Sequence, residues 1–228
     1  MLSLMLTIRK NSKFFSKFLI GYLSKTKNFS NVELLILASE GDTWNKDLFD
    51  YYHLNVIYEN LRCGKGGRHL FYNELAKHAK GDWLWHFCDD HYLIMDGYDE
   101  YILDYIKQNN IDSNQIHSIV PVVSNSGSIS QILSRGWYET VGRMGGQGNI
   151  DSYLNTVAER MLCPERIHYP PHAIMTDFTV DSTIMTPEHS YVELDPSYKF
   201  YPFNSPETDA EINKDASLLY HAIKEGGK

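Results

Sequence analysis

The sequence predicts an α/β fold with a mostly parallel central sheet flanked by helices. Strand-length apolar runs alternate with stretches of helical period and are joined by short connections, a succession typical of parallel sheets with right-handed crossovers. The apolar run at residues 83–88 is typical of a strand in the middle of such a sheet. It ends in Asp89, Asp90 and His91. Because ligands of open α/β sheets bind beyond the carboxyl ends of the strands, we expect the functional site there.

The first half of the chain follows the βαβ order. A buried strand is predicted at residues 3–7, and a helix follows because Asn11 or Ser12 can cap it and apolar residues recur at helical spacing from Phe14 to Leu23. Further predicted elements are strands at residues 32–38 and 55–58, with a short helix at residues 45–52 between them. A helix at residues 69–80 stops at Gly81, a residue favoured after helix ends, and a strand at residues 82–87 follows.

The second half is less regular. Apolar and aromatic residues at helical spacing predict helices at residues 98–106, 151–162 and 208–224. Residues 116–123 are predicted as one strand, and residues 129–141 as an extended segment that carries Trp137 and Tyr138. We expect one domain over residues 1–206, made of a first half at 1–100 and a second half at 101–206. Residues 207–228 are expected to form a C-terminal helical extension.

Composition and charge limit the classes of protein to be considered. Hydrophobic residues form 43% of the chain and charged residues 22%, as in a globular domain that buries a core, and no apolar run is long enough to cross a bilayer. The formal net charge of −8 argues against general nucleic-acid binding. Cys63, Cys88 and Cys163 lie far apart, which excludes a disulfide scaffold and favours a reducing, cytoplasmic environment.

Charge is distributed unevenly along the chain. No acidic residue precedes Glu33, whereas several lysines and an arginine do. A basic end of this kind is compatible with contact to an anionic ligand or a membrane surface, although a solvated lysine face on the first helix explains it more simply. The apolar residues 1–8 precede Arg9 and Lys10, the reverse of the order in a signal peptide, and we interpret them as the first strand.

The acidic end of the central strand indicates a cation site. Carboxylate oxygens suit Mg²⁺ or Mn²⁺, and a hard cation commonly holds a diphosphate. We therefore interpret Asp89, Asp90 and His91 as part of a metal-diphosphate site. For the Asp-Asp pair considered alone, a solvated turn after a buried strand is the simpler interpretation.

A basic glycine-rich loop at residues 62–68 precedes the helix that carries Asn73. Backbone amides and fixed cations at a helix start suit phosphate oxygens, and Lys65 and Arg68 are cations of this kind. The loop matches neither the Walker pattern nor GxGxxG after a strand. Taken alone, it is therefore a weak signal.

Two segments together resemble a known enzyme family. The segments SLMLTIRKNSKFFSKFLIGYLSKTKNFSNVELLIL and GGRHLFYNELAKHAKGDWLWHFCDDHYLIMDGYD are similar, in the order and spacing of their features, to the nucleotide-diphospho-sugar glycosyltransferases of GT-A fold, family 2 type. In that family a strand ends in a Thr-containing loop, a second strand ends in an acid near the base, and an Asn-bearing helix precedes the strand with the DxD metal motif. The resemblance covers roughly residues 3–100 and implies a GT-A fold.

The resemblance also assigns residues to the nucleotide. It implies that Thr7 and Arg9 lie beside the nucleoside and that Glu40, or less favourably Asp42, meets the uracil or ribose. Arg68 and Asn73 would face the nucleotide, Lys65 and Arg68 would share the charge of the diphosphate, and Asp89 belongs to the same binding set. The implied donor is a UDP- or GDP-sugar.

The metal motif departs from the family pattern. The third-position Asp is replaced by His91, which leaves open whether Asp90 or His91 is the main ligand of Mn²⁺ or Mg²⁺, since an imidazole also binds Mn²⁺. Among the later histidines, His172 is the first choice for a third metal ligand, although a lone histidine is more often simply hydrogen-bonded.

In inverting members of the family, the catalytic base is a carboxylate at the start of a helix that follows a glycine-rich acceptor loop. Asp151 occupies that situation, and Glu159 is the reserve candidate. The usual Glu-Asp pair is absent. An equally good explanation of Asp151 is an acid that complements the macrodipole at the helix start, and Glu159 is also explained as a surface residue.

The resemblance therefore implies a metal-dependent, inverting glycosyltransferase that acts on a glycan or another hydroxyl acceptor. Two alternatives stay open. A sugar-phosphate nucleotidyltransferase would need a glycine-rich loop directly after the first strand, and residues 7–12 contain no glycine. A non-catalytic nucleotide-sugar or glycan-binding module is favoured by the Asp-Asp-His motif and the missing Glu-Asp pair.

Overall fold

Ten strands and seven helices form the described part of the molecule. The computed structural model describes residues 1–8, 12–39, 46–52, 54–59, 68–88, 91–124, 130–146, 150–177 and 205–226. The strands are β1 (Leu2–Ile8), β2 (Val32–Ser39), β3 (Asn55–Glu59), β4 (Trp83–Phe87), β5 (His91–Leu93), β6 (Ser118–Ile119), β7 (Val122–Val123), β8 (Ile132–Ser134), β9 (Ile167–His168) and β10 (Ala173–Asp177). The helices are α1 (Ser12–Lys25), α2 (Lys46–Tyr51), α3 (Arg68–His78), α4 (Tyr98–Gln108), α5 (Arg135–Val141), α6 (Ile150–Arg160) and α7 (Pro206–Gly226).

The strands form two sheets. The larger has seven strands in the order β3-β2-β1-β4-β8-β6-β9, and the smaller has the order β5-β10-β7. β1 pairs in parallel with both β2 and β4, and β2 pairs in parallel with β3. β8 runs antiparallel to β4 and β6. The predicted α/β architecture with a mostly parallel central sheet is therefore confirmed.

Helices cover both faces of the large sheet and enclose two cores. One core joins the sheet to α1 and α4, through residues such as Phe18 and Ile102. The other joins it to α3, α5, α6 and α7, through residues such as Leu75, Leu154 and Leu219. Fully burying a side chain of this size contributes about 1.5–3 kcal/mol. In the described part of the chain, no helix is long and apolar enough to cross a membrane.

β4 serves both cores because its side chains alternate between the two faces. Trp85 and Phe87 belong to the core with α1 and α4, whereas Leu84 belongs to the core with α3 and α6. His86 and Cys88, two and four residues after Leu84, face the same side as Leu84. This alternation directs an imidazole and a thiol toward α3 and α6.

The run at residues 116–123, predicted as one strand, is divided between the two sheets. β6 pairs in the large sheet and β7 in the small one. Pro121 lies between them, and because proline has no N–H to donate, it interrupts a strand ladder. The prediction of a continuous strand is wrong, and Pro121 is the sequence signal that indicates the break.

Residues 129–141 were expected to be extended, but α5 follows β8 directly. The hydroxyl of Ser134 accepts a hydrogen bond from the Trp137 N–H at 3.2 Å and caps the helix. Gly142 ends it in the left-handed conformation, at φ 78°, which glycine adopts without strain. The extended assignment is wrong beyond Ser134, and the Ser and Gly caps are the local signals that specify a helix.

Two neighbouring histidines beside β6 and β9 share a hydrogen bond. Nδ1 of His117 lies 2.9 Å from Nε2 of His168, and Arg166 lies 3.1 Å from Nε2 of His117. Since arginine only donates, Nε2 of His117 must accept, and the neutral His117 ring therefore donates from Nδ1 to His168. Burial, together with His168 and Arg166, lowers the pKa of His117 to about 4.

We expect acid to destabilise the protein through His117. The pKa of the His117 imidazole is 6.5 in the unfolded chain and about 4 in the folded protein. This contribution to stability is therefore present above pH 6.5 and is lost as the pH falls toward 4. Between pH 7 and pH 5 the free energy of unfolding should fall by about 2 kcal/mol on this account. Urea unfolding of the parent and of a His117→Gln variant at both pH values measures this effect. The variant should lose less free energy of unfolding between pH 7 and pH 5 than the parent, and an equal loss in both proteins would contradict the prediction.

Candidate active site

The carboxyl ends of the parallel strands meet at one edge of the large sheet. In the parallel pairing of β1 with β4, Leu6 is opposite Phe87. Thr7 and Cys88, which come next in each strand, are therefore neighbours at this edge. Thr7 is half-buried, and Asp89 follows Cys88 directly in the sequence. The structure thus brings Thr7 to the end of the strand that leads into the predicted metal motif.

Several of the sequence-predicted site residues lie outside the described residues: Arg9, Glu40, Asp42, Lys65, Asp89 and Asp90. Arg68 opens α3, but its side chain also lies outside the description. In the sequence, these residues follow the carboxyl ends of β1, β2, β3 and β4. Their assignments to the nucleotide and the metal stay predictions.

Asp151 lies against the end of β4. Its Oδ1 is 3.3 Å from Nδ1 of His86 and accepts a hydrogen bond from Sγ of Cys88 at 3.5 Å. The ring of Tyr72 packs edge-on against His86 with the ring centroids 4.2 Å apart, and the Tyr72 hydroxyl donates to the Phe87 carbonyl at 2.8 Å. α3, β4 and α6 thus meet around one carboxylate at the functional edge of the sheet.

The two candidate bases on α6 have different environments. Asp151 is in the first turn of the helix, where negative charge complements the macrodipole, and its side chain is 22% exposed. Glu159 is about 12 Å farther along the helix axis. There Glu159 is exposed, and its carboxylate accepts a hydrogen bond from the Asn155 amide at 2.8 Å. Of the two, only Asp151 lies at the end of β4.

Asn73 holds the glycine-rich segment that precedes α6. Its Oδ1 accepts hydrogen bonds from the N–H groups of Met144 at 2.7 Å and Gly145 at 3.1 Å. Its Nδ2 donates to the Gly145 carbonyl at 3.1 Å. Three of the four hydrogen-bonding positions of the amide are therefore used to position this segment. The predicted contact of Asn73 with the nucleotide stays a prediction.

A buried ion-pair network holds the same segment from the other side. Arg143 donates to both carboxylate oxygens of Asp215 on α7, at 3.1 and 2.9 Å, and to Glu211 at 3.1 Å. The hydroxyl of Tyr153 donates to Asp215 at 2.7 Å. Gly146 completes the packing, because a Cβ there would lie 2.5 Å from the Tyr153 ring. The network ties the segment before α6 to the C-terminal helix.

The network perturbs the pKa of two of its members. Burial lowers the pKa of Arg143, but the hydrogen bond and charge of Asp215 outweigh this effect and raise it. Burial raises the pKa of the Tyr153 phenol, and the neighbouring Asp215 raises it further. Arg143 is therefore charged and Tyr153 neutral at any working pH.

β5 and β10 place His91 opposite Asp177. The two residues are direct partners in an antiparallel pair and both are buried, so their Cβ atoms are about 4.5–5.5 Å apart on one face of the small sheet. His172 precedes the other end of β10, where its N–H donates to the Tyr101 hydroxyl at 3.2 Å. The strand separates His172 from Asp177 by about 16 Å. The structure therefore brings His91 together with Asp177 and leaves His172 apart from them.

Sequence reasoning missed His86, Cys88 and Asp177 as site residues. For His86 and Cys88 a signal was present, since residues two apart on a strand share a face and both lie within the run that leads to Asp89. Asp177 had no comparable signal. Its place opposite His91 depends on the pairing of β5 with β10, which are more than 80 residues apart in the sequence.

Several solved structures are similar to this one. The chain is similar to TarS 1–349 of S. aureus in complex with UDP-GlcNAc, with a TM-score of 0.62 at 12% identity over 77% of this chain and 57% of that one. It is also similar to the mannosyltransferase PcManGT from Pyrobaculum calidifontis in complex with GDP-Man and Mn²⁺, with a TM-score of 0.60 at 14% identity over 77% of this chain and 56% of that one. A cytidylyltransferase from Leptospira borgpetersenii matches with a TM-score of 0.55 at 13% identity over 76% of each chain.

Sequence comparison adds no family to this similarity, since no protein-family model and no curated protein matches the chain. The match covers 36% of a second TarS structure from S. aureus and 56% of PcManGT, so the chain spans about half the length of these proteins or less. At such identities the similarity concerns the architecture. The strand order, the helical layers and these neighbours together show that the chain has the GT-A fold implied by its sequence.

Proposed function

We propose that this chain is a metal-dependent, inverting glycosyltransferase that moves a sugar from a nucleotide-diphosphate donor to a hydroxyl group of a glycan, lipid or protein. The observation that carries the proposal is the position of Asp151, whose carboxylate contacts Cys88 directly before the Asp89-Asp90 pair. The proposed catalytic base and the proposed donor site therefore lie at the same edge of the sheet. Fold neighbours in complex with UDP-GlcNAc and with GDP-Man support a nucleotide-sugar donor.

The donor would bind across the carboxyl ends of β1, β2 and β4. The residues assigned to it are Thr7, Arg9, Glu40, Asp42, Lys65, Arg68, Asn73 and Asp89. Thr7 and Glu40 suit the nucleoside, because Thr7 lies near the carboxyl end of β1, the strand paired with β4, and Glu40 directly follows β2. Lys65 and Arg68 would oppose the negative charge of the diphosphate at the start of α3.

A divalent cation fits the residues near the end of β4. Asp90 and His91 are the proposed ligands, and the structure adds the buried Asp177 opposite His91. His172, the predicted third ligand, lies apart from them at the other end of β10, beside Tyr101. Carboxylate oxygens with one imidazole nitrogen suit Mn²⁺ better than they suit a metal that favours thiolate ligands. When bound, such a cation stabilises the charge that develops on the leaving diphosphate.

Asp151 is the proposed general base, with Glu159 in reserve. In an inverting transfer the acceptor oxygen attacks the anomeric carbon while the bond to the diphosphate breaks, and the acceptor proton must leave. Asp151 would accept that proton. His86 and Cys88 contact the same carboxylate and would hold its orientation. General-base catalysis of this kind supplies about 10²–10⁴-fold of the rate.

Calorimetry followed by a turnover assay tests the proposal. We expect UDP or GDP to bind in the presence of Mn²⁺ and to bind much more weakly in EDTA, and a panel of nucleotide sugars should include one that the protein hydrolyses slowly without an acceptor. Failure to bind either nucleotide with Mn²⁺ would contradict the proposal. Binding without hydrolysis or transfer would instead identify a non-catalytic binding module.

Removal of Asp90 should weaken the metal-dependent part of nucleotide binding. We expect Asp90→Ala to raise the Kd of the nucleotide in Mn²⁺ at least about 10-fold, because the cation would lose a charged ligand. In EDTA the Kd values of variant and parent should be equal. Asp104→Ala, which removes an exposed carboxylate from α4, is the matched control. An Asp90→Ala protein with unchanged Mn²⁺-dependent binding would rule out this metal site.

A second candidate function is sugar-phosphate nucleotidyl transfer, which the similarity to the Leptospira cytidylyltransferase favours. Such an enzyme would transfer the nucleotide of a nucleoside triphosphate to a sugar phosphate and release pyrophosphate. A pyrophosphate assay with CTP and UTP therefore separates it from a glycosyltransferase, which would release a nucleoside diphosphate.

A further inference from the structure

His86, Cys88 and Asp151 bring three different metal-binding atoms together. A ring nitrogen of His86, Sγ of Cys88 and a carboxylate oxygen of Asp151 all lie within 4.8 Å of one another. His86 and Cys88 share one face of β4 and its continuation, and Asp151 is presented by the first turn of α6. A strand and a helix, both packed in the core, hold these atoms, so their positions are fixed by the fold.

Two of the three distances between these atoms match those around a tetrahedral zinc ion. With Zn–N and Zn–O near 2.0–2.1 Å and Zn–S near 2.3 Å, tetrahedral angles place N and O about 3.4 Å apart and S and O about 3.6 Å apart. In the structure the separations are 3.3 Å for His86 Nδ1 to Asp151 Oδ1 and 3.5 Å for Cys88 Sγ to the same oxygen. The third pair, the His86 ring nitrogen and Cys88 Sγ, lies within 4.8 Å, so one ion could bind all three atoms after a small adjustment of the side chains.

The chemistry of the three donors selects the metal. A nitrogen, a sulfur and an oxygen ligand suit Zn²⁺, whereas Mg²⁺ and Mn²⁺ favour oxygen. A thiolate and a carboxylate neutralise the two positive charges of the ion, so the bound site carries no net charge. This matters because His86 and Cys88 are 1% and 5% exposed, and a buried net charge is costly. The 22% exposure of the Asp151 side chain leaves a path for entry.

We propose that His86, Cys88 and Asp151 form a zinc site with three protein ligands and an open fourth position. On binding, the sulfur of Cys88 forms a bond to Zn²⁺ and its S–H bond breaks, which releases one proton to solvent. His86 binds through Nδ1 as the neutral tautomer with its proton on Nε2, so a proton held on Nδ1 in the metal-free site is exchanged through solvent for one on Nε2. The site differs from the proposed Mn²⁺ site in ligands and in metal preference, and it does not depend on the proposed glycosyl transfer. If that transfer is correct, Zn²⁺ would inhibit it by occupying the carboxylate of Asp151.

The test is metal binding by the EDTA-stripped full chain. Competition with a chromophoric chelator should show one tightly bound Zn²⁺ per chain, and Co²⁺ in its place should give a near-ultraviolet thiolate-to-cobalt charge-transfer band. Cys88→Ser should remove the band and weaken Zn²⁺ binding at least about 100-fold, more than the loss of an outer-shell group. Asp151→Asn should weaken binding with the fold intact. Circular dichroism and thermal unfolding without metal check the fold of each variant.

Cys163→Ser is the matched control, because Cys163 is also buried but belongs to the core with α6 and α7. It should bind Zn²⁺ and Co²⁺ as the parent does. A band that survives in a folded Cys88→Ser protein, or Zn²⁺ affinity equal in that variant and the parent, would overturn the proposal. The measurement uses no sugar donor, so absence of transferase activity would not affect it, and a negative metal result would leave the proposed transfer standing.

Discussion

Replacing Asp151 with asparagine is expected to lower kcat for sugar transfer about 10²–10⁴-fold, the range supplied by a general base. Asparagine has nearly the same shape, so the packing of α6 against β4 should persist, but an amide cannot accept the acceptor proton. Because Asp151 is assigned no contact with the donor, the Kd of UDP or GDP with Mn²⁺ should not change. Transfer rates at saturating donor, together with calorimetry, check both parts of the prediction.

Glu159 on the same helix provides the comparison. Glu159→Gln removes the other candidate carboxylate, which is exposed and hydrogen-bonded to Asn155. We expect Glu159→Gln to transfer sugar at close to the parent rate, since its carboxylate is far from the end of β4. Loss of activity in Glu159→Gln with full activity in Asp151→Asn would assign the base to Glu159 and contradict the role proposed for Asp151.

The largest expected effect on stability comes from Arg143. Arg143→Met would leave the carboxylate of Asp215, whose side chain is 3% exposed, without the cation that donates to both of its oxygens. Breaking a buried ion pair by removing one partner lowers the free energy of unfolding by about 3–5 kcal/mol. Urea unfolding followed by circular dichroism measures this loss.

An exposed arginine in the same region shows how much of the effect depends on burial and how much on the loss of a positive charge. Arg160 on α6 forms a 2.6 Å ion pair with Asp209 on α7, but the two side chains are 37% and 51% exposed. Arg160→Met should therefore lower the free energy of unfolding by no more than about 1 kcal/mol. Addition of Asp215→Asn to Arg143→Met should restore part of the lost stability, because it removes the unpaired charge. Equal losses in Arg143→Met and Arg160→Met would contradict the assignment.

The Arg143 network and Asn73 act on the same short segment. From α3, Asn73 holds the backbone of Met144 and Gly145. Arg143, the residue before Met144, is bound to Asp215 on α7. This segment leads into α6 and hence to Asp151. We infer that the C-terminal helix supports the candidate active site by fixing the start of α6, although α7 itself is assigned no part in the chemistry.

Local patterns in the sequence were sufficient for most of the fold. Continuous apolar runs of strand length predicted β1, β2 and β4, and apolar residues at helical period predicted α1, α4 and α6, because burial constrains residues close together in the chain. The errors fell where a short local signal decided the outcome. Pro121 divides one predicted strand between two sheets, and Ser134 and Gly142 turn a predicted extended segment into α5.

The candidate site was only partly accessible to such reasoning. The strand that leads into Asp89 and Asp90, and a helix that begins near Asp151, could be predicted from the sequence. That Asp151 contacts Cys88, 63 residues earlier, could not, because its position depends on how the segment before α6 is held. The same is true of Asp177 opposite His91.

By itself, then, the sequence determined the α/β class, the succession along the chain of the strands that end at the candidate site, and the acidic motif that follows β4. The tertiary structure alone decided which distant groups meet: a carboxylate with an imidazole and a thiol at the candidate site, and Arg143 with an aspartate 72 residues away on α7. The physical reason is that periodicity reports which face of an element is buried. It does not report which element covers that face, since this follows from packing between segments far apart in the chain.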